Sequence, residues 1–349
     1  MTIRVGFLGA GFIAGLHAFQ LGRCDTDHAV VAVHDPDPER AASFADWKGA
    51  EVLDSPEAVV EASDAVFICT WTAAHPANLR AVLDAGRAVF LEKPLAVDLA
   101  TAREMAADVT EAGVVNMVGL VLRSSPALLA LRELIRDPAA GRLMNITFRD
   151  DQYIPIQGMY GSDWRGDRER AGAGALLEHS IHDLDILEWL AGPIETISAH
   201  TSFFHGLDGI EDSVSVLARF RDGHTATLTS VWHDILSRPS LRRMEAFSER
   251  SLATLEGDLV GPVRWQRQPA GSTDPEDTDE GVVDDATIEP WLAQRGIEPV
   301  IAEELFLRAV EAGGPSPGPT IEDAVRAHVV VDAVYRSAAE GGAPQHVAP

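Results

Sequence analysis

Ile3-Arg4-Val5-Gly6-Phe7-Leu8-Gly9-Ala10-Gly11-Phe12-Ile13-Ala14 passes from a short apolar run through two closely spaced glycines into a helix-forming stretch. A strand, a glycine turn and a helix in that order present main-chain N–H groups and the positive end of a helix dipole to a pyrophosphate. Gly9 permits the tight turn and Gly11 lets the backbone come close to the ligand. Phe12 and Ile13 open the helix beside that cradle, and Ala14 takes the third small position, where glycine is commoner. Outward to about residue 120, apolar strands alternate with helical stretches. His28 to His34, Ala65 to Thr70, Val89 to Leu91 and Val114 to Gly119 read as extended; Pro38 to Trp47, Pro76 to Ala85 and Asp98 to Glu111 read as helical. This alternation predicts an α/β domain over residues 1–121, a Rossmann doubly wound parallel sheet that binds a dinucleotide.

Asp35 ends the second strand. A carboxylate there accepts the ribose hydroxyls of NAD and repels the 2′-phosphate of NADP, so NAD is the expected cofactor and NADP the less favoured one. The same aspartate also suits a turn that caps the next helix, Asp35-Pro36-Asp37-Pro38, and Arg40 follows close by.

After residue 121 the pattern changes. Leu143 to Phe148, Ser213 to Phe220 and Thr225 to Val231 alternate apolar with polar residues, as one-sided strands do, and Arg221-Asp222-Gly223-His224 reads as a hairpin turn. Residues 122–349 are therefore expected to form an α+β domain with a largely antiparallel open sheet. Gly313 to Pro319 reads as a linker-like break before a last helix from about Ile321 to Ser337.

The chain carries 28 basic and 54 acidic residues, a formal net charge of −26. That balance repels phosphate backbones and acidic lipid, which argues against nucleic acid or a membrane as partner. Part of it lies in Asp274 to Glu280, which reads as a solvated loop. No apolar stretch reaches a membrane span and the amino terminus lacks a signal-peptide plan, so a cytoplasmic location is expected. Cys24 and Cys69 form no CxxC pair; two unpaired thiols and no metal are expected.

Two further stretches carry chemistry. Val89-Phe90-Leu91-Glu92-Lys93-Pro94 puts a lysine at the carboxyl end of a strand, where open α/β sheets bind ligands. Gly172-Ala173-Gly174 leads into a helix on which Glu178, His182 and Asp185 stand at i, i+4 and i+7, one edge beside the stripe Leu177, Ile181, Leu184 and Leu187. Two carboxylates flanking a histidine hold its ring and tune its basicity; a solvated face with an ion pair would show the same spacing.

The fingerprint, Glu92-Lys93-Pro94, the glycine-rich lead into a helix and the carboxyl-terminal helix together resemble the Gfo/Idh/MocA oxidoreductases, named for glucose–fructose oxidoreductase and inositol dehydrogenase. The resemblance covers nearly the whole chain. It implies hydride transfer between nicotinamide and a secondary alcohol of a sugar, inositol or related polyol. Lys93 would bind the reacting hydroxyl, His182 would take or return its proton, and Glu178 would orient or relay. The family's motif has aspartate where this chain has Glu178, one methylene longer. Glu92, Thr70 and His75 would line the cofactor, although His75 equally suits a helix start. Arg123 would meet the substrate or form an ion pair. Tyr153, Trp164 and Asp185, with Tyr160 and Arg165, would form a substrate wall or pack in a core. The resemblance also implies a homo-dimer or homo-tetramer through the carboxyl-terminal sheet. Two other classes stay open: a hydrolase or epimerase that oxidises transiently with bound NAD, and a non-catalytic ligand-sensing regulator.

Overall fold

The computed structural model describes residues 1–238, 240–257 and 260–348. They divide into two compact units. The first comprises Met1–Val121, Asp167–Gly172 and Val300–His328; the second comprises Leu122–Gly166, Ala173–Pro299 and Val329–Pro349.

In the first unit, β1 (Ile3–Leu8), β2 (His28–His34), β3 (Glu51–Val52), β4 (Ala65–Ile68), β5 (Ala88–Leu91) and β6 (Asn116–Val118) pair in the order β3-β2-β1-β4-β5-β6. All pairs are parallel. The strand order reverses between β1 and β4, and the carboxyl ends at that switch point are where this class of sheet receives ligands.

Because side chains alternate along a strand, the sheet buries two different faces. Leu8, Val66, Ile68, Val89 and Leu91 pack with Leu79, Val82, Ala102, Met105 and Val109, and with Ile321 and Ala324 from the far end of the chain. On the other face Phe7, Phe67 and Phe90 stack across β1, β4 and β5 at centroid spacings of 5.1 and 4.7 Å. Phe306 meets Phe67 and Phe90 edge-on at 5.5 and 5.6 Å, the geometry aromatic quadrupoles favour. Gly313 to Pro319, the linker-like break in the sequence, is part of this unit: the Val118 N–H donates to Pro319 O at 2.8 Å.

In the second unit the strands are β7 (Leu143–Tyr153), β8 (Ile194–Ser202), β9 (Ser213–Phe220), β10 (Thr225–His233), β11 (Leu241–Ser248), β12 (Ser251–Glu256), β13 (Val263–Arg267), β14 (Asp279–Val283) and β15 (Gln345–His346). Their order is β14-β13-β12-β11-β7-β10-β9-β8-β15. Only β7 and β10 run parallel; the other neighbours are antiparallel. Two expectations change here. β7 runs on past Phe148 to Tyr153, because Asp150 and Asp151 find buried or half-buried cationic partners. The acidic stretch 274–280 is exposed, but its end, Asp279 and Glu280, enters the edge strand β14.

The catalytic-looking helix also differs from its reading. Ala175–Ser180 is a π-helical turn, and the α-helix begins only at Ile181 and ends at Ala191. Such wide turns concentrate at functional sites. Glu178 therefore stands on the π turn and His182 and Asp185 on the α-helix, so the i, i+4, i+7 spacing does not place all three along one regular edge. The lead-in glycines are steric requirements. Gly172 has φ +87° and a Cβ there would lie 2.8 Å from Val97; a Cβ on Gly174 would lie 1.9 Å from the main-chain oxygen of Glu211. Gly174→Ala must therefore displace main chain, and overpacking of this kind costs about 1–3 kcal/mol or more. Equilibrium urea unfolding of this variant is expected to show a lower midpoint with an unchanged slope.

Candidate active site

The first unit presents the cofactor end. Gly9 turns with φ +94°, and a Cβ there would strike Cys69 O at 2.6 Å. Gly11 caps the helix Phe12–Leu21 with no side-chain acceptor, no acidic residue occupies the first turn, and open space lies where a Gly11 Cβ would be. This end of the helix suits an anion better than a side chain. Asp35 accepts from the Ala10 N–H at 2.7 Å and the Asp37 N–H at 2.8 Å, which ties the ribose-recognition position to the glycine turn. Arg40, a cation that would welcome a 2′-phosphate, pairs with Asp37 at 3.2 Å. Phe12 is half exposed beside the turn. These residues fit NAD.

At the carboxyl end of β4, Thr70 Oγ1 accepts from Asn78 at 3.1 Å. His75 is buried with one ring nitrogen 3.1 Å from Thr70 O and the other 2.9 Å from Pro94 O. Burial lowers its pKa, and the ring joins two loops through these carbonyls. Glu92, expected at the cofactor, has both carboxylate oxygens engaged inside the unit: Oε1 with His17 at 2.7 Å, Oε2 with the Lys93 N–H at 3.2 Å. Lys93 follows, half-buried, before the cis Lys93–Pro94 peptide.

His17 was not legible as a site residue. Its ring lies between two carboxylates, Glu92 at 2.7 Å and Glu303 at 2.6 Å, with 1% of its surface exposed. Burial opposes the charged ring, but the hydrogen bonds to Glu303 and Glu92 outweigh it and raise the pKa to about 9. The missed signal is a polar residue on the buried stripe Ala14, Ala18 and Leu21 of the first helix.

The second unit carries His182, which is buried. The carboxylates expected beside it are each matched to an arginine. Glu178 accepts from Arg165 Nε at 2.8 Å, and Arg165 also donates to Ser162 and lies over the Trp164 ring at 4.5 Å. Asp185 takes Arg123 in a bidentate pair at 2.9 and 2.6 Å, the strongest arrangement available to this pair of groups. Tyr153 is buried; its hydroxyl accepts from the Met159 N–H and its ring lies 5.3 Å from that of Tyr160.

Beneath the π turn lies a polar row set by strand register. Asp150 pairs in register with Ser230 of β10 and with Arg242 of β11, so all three face the same interior. His179 reaches Asp150 at 2.8 Å, Ser180 donates to Asp150 at 3.1 Å, and Arg242 donates to Asp183 at 2.7 Å. Burial alone would raise the Asp150 pKa, but Arg242 and His179 hold it well below the carboxylate range; burial and Asp150 push Asp183 well above it. At the other end of the turn, Glu211 accepts from the N–H groups of Gly174 and Leu176 at 2.8 and 3.0 Å and from the Tyr335 hydroxyl at 2.8 Å. Glu211 does for the π turn what an N-cap side chain does for an α-helix. Both cysteines are free, Cys69 buried and Cys24 half-buried, and burial raises both thiols, Cys24 to about 12. Neither thiol has the lowered pKa that marks a reactive cysteine.

The comparison with known proteins decides the family. Residues 3–120 match the model of the GFO/IDH/MocA oxidoreductase family, described as an NAD-binding Rossmann fold, and residues 128–250 match the GFO/IDH/MocA carboxyl-terminal domain. The chain belongs to this family. It is 30% identical over 98% of both chains to a 1,5-anhydro-D-fructose reductase of Ensifer adhaerens. It is 32% identical to an inositol 2-dehydrogenase of Cereibacter sphaeroides over 64% of this chain and 65% of that one. Among solved structures, levoglucosan dehydrogenase in complex with NADH and levoglucosan superposes with a TM-score of 0.85 at 20% identity over 100% of both chains, a likeness of fold. The protein is an NAD-binding oxidoreductase of this family, with a parallel Rossmann sheet and a mostly antiparallel second sheet.

The sign of the His17 shift makes a prediction. A histidine whose folded pKa is raised above its unfolded value adds stability below the unfolded pKa, near 6.5, and that contribution is lost as pH rises through about 9. The melting temperature of the full chain is expected to fall between pH 7 and 10. The double variant His17→Gln/Glu303→Gln should lack that component of the fall.

Proposed function

We propose that the protein transfers hydride between NAD and a secondary alcohol of a neutral sugar, inositol or related polyol. The observation that carries this reading is the fixing of Lys93 at the carboxyl end of β5: the main chain on both sides of it is gripped by buried side chains, Glu92 before and His75 after. When bound, NAD accepts or returns the hydride. Lys93 supplies an ammonium to hold the reacting hydroxyl and to stabilise negative charge developing on its oxygen. His182 takes the hydroxyl proton in oxidation and returns it in reduction. Glu178 and Asp185, each answered by its own arginine, orient the histidine's surroundings and leave the proton transfer to it.

A neutral substrate follows from the cations of the second unit. Arg238 pairs with Asp151, Arg242 with Asp183 and Asp150, and Arg243 with Glu245. None of the three is set aside for a phosphate or carboxylate on the substrate. The names of the relatives agree, since anhydrofructose and inositol are both neutral polyols. We also place the enzyme in the cytoplasm and assign it a homo-dimer or homo-tetramer through the outer face of the second sheet, where Leu217, Phe247 and Val282 are exposed. Among the described residues no helix is long and apolar enough to cross a membrane.

The test is formation of reduced nicotinamide from a panel of inositols, aldoses, anhydrosugars and deoxy sugars, each with NAD and with NADP. Turnover with NAD on one polyol class is expected. His182→Ala and Lys93→Ala should each lower kcat by about 10²–10⁴-fold, the usual worth of a proton-transfer group, with the melting temperature little changed. Inactivity across the panel with nucleotide released only on denaturation would replace this reading by transient oxidation within a hydrolase or epimerase. No turnover and no bound nucleotide would replace it by a ligand sensor.

A further inference from the structure

Glu92 is an unusual neighbour for a working lysine. It is 5% exposed, it sits at the end of a wholly buried strand, and Gly119 leaves the space for it: a Cβ there would lie 2.2 Å from Glu92 Oε1. A carboxylate in such a place needs donors or it will not stay ionised. One oxygen takes the N–H of Lys93 at 3.2 Å, and the other takes His17 at 2.7 Å.

The His17 ring is packed and bonded on its other sides. Its ring is held against Phe90 at 4.9 Å and Phe67 at 5.6 Å, and its second nitrogen meets Glu303 at 2.6 Å. Imidazole is the side chain that offers two N–H groups on opposite sides of a rigid ring. Glu303 comes from the helix Ala302–Ala312, which returns to the first unit from late in the sequence. The same return segment supplies His328, whose Nε2 accepts from the Leu95 N–H at 3.1 Å, two residues beyond Lys93. His75 takes the carbonyls of Pro94 and Leu95 at 2.9 and 3.2 Å.

We infer that His17, braced by Glu303, is a positioning residue for Lys93: it fixes the Glu92 carboxylate, and Glu92 fixes the main chain from which the Lys93 side chain departs. The inference rests on the reading of Lys93 as the hydroxyl-binding group. The raised basicity of His17 agrees with it, because an ionised ring donates to both carboxylates at once.

Removing His17 alone would leave two buried carboxylates with no cation between them, so the test uses charge-matched pairs. In His17→Gln/Glu303→Gln the glutamine at 17 keeps a donor for Glu92. In His17→Leu/Glu303→Gln that donor is gone, while the net charge of the cluster is the same. With the full-length enzyme, NAD and the polyol found by the panel, the leucine pair is expected to turn over at least tenfold more slowly than the glutamine pair, with KM for NAD equal within twofold. Equal kcat in the two pairs would overturn the inference and leave His17 a packing residue.

Two further measurements keep the answer clear. If the leucine pair fails to fold, the isosteric Glu92→Gln, which weakens the acceptor for the Lys93 N–H, should lower kcat at least threefold with KM for NAD unchanged; an unchanged kcat would overturn the inference. Trace acetylation of Lys93, read by peptide mass spectrometry without substrate, should change at least threefold in rate in whichever of these variants folds, and an unaltered rate would count against positioning. Should Lys93→Ala retain full turnover, the functional reading of Lys93 fails, and the acetylation rates still decide whether His17 positions that side chain.

Discussion

A carboxylate taken out of water must be met by donors at once, and this requirement shapes both units. The unpaired cost is several kcal/mol per ion even after relaxation. Glu92 and Glu303 share one imidazole; Asp150 and Asp183 share one guanidinium; Glu211 takes two main-chain N–H groups and a phenol. Each of these solutions joins segments far apart in the sequence, and each lies beside a segment of the candidate site. Apolar contact supplies the bulk of the cohesion, as the stacked Phe7, Phe67 and Phe90 illustrate. The buried carboxyl groups add directional contacts that join these segments.

The two buried networks differ in how they are built. In the first unit the imidazole comes from the helix of the nucleotide fingerprint, so the cofactor turn and the lysine strand are coupled through a few bonds. In the second unit the polar row follows from register alone: inward-facing positions of β7 run Ile146, Phe148, Asp150, and the neighbours of Asp150 are Ser230 and Arg242. The apolar face of the sheet thus ends in a polar seat on which Ser180 and Asp183 rest.

Local periodicity made much of this fold readable. The strands and helices of the first unit repeat at short range, and β9 and β10 alternate cleanly, so their patterns survive without knowledge of tertiary partners. The second half of β7 did not, because Arg149-Asp150-Asp151-Gln152 reads as a solvated run unless the cations that bury it are known. The π turn was hidden for a similar reason. It depends on Glu211 and Tyr335, remote in sequence from Gly174. At the candidate site, Lys93, His182 and Glu178 stood out by motif, whereas His17 and Glu303, 286 residues apart, carried no mutual signal.

The return of residues 300–328 to the first unit bears on how the chain acquires its structure. A ribosome delivers the six strands of the first sheet before Phe306, Ile321 and Ala324, which close its two faces, and before Glu303, which answers His17. Until then the aromatic ladder lacks part of its cover and a buried imidazole lacks one of its counter-ions. Closing so long a loop costs little more entropy than closing a medium one, yet contacts of such sequence separation are slow to form. The sheet of the first unit is synthesised well before the segment that completes it.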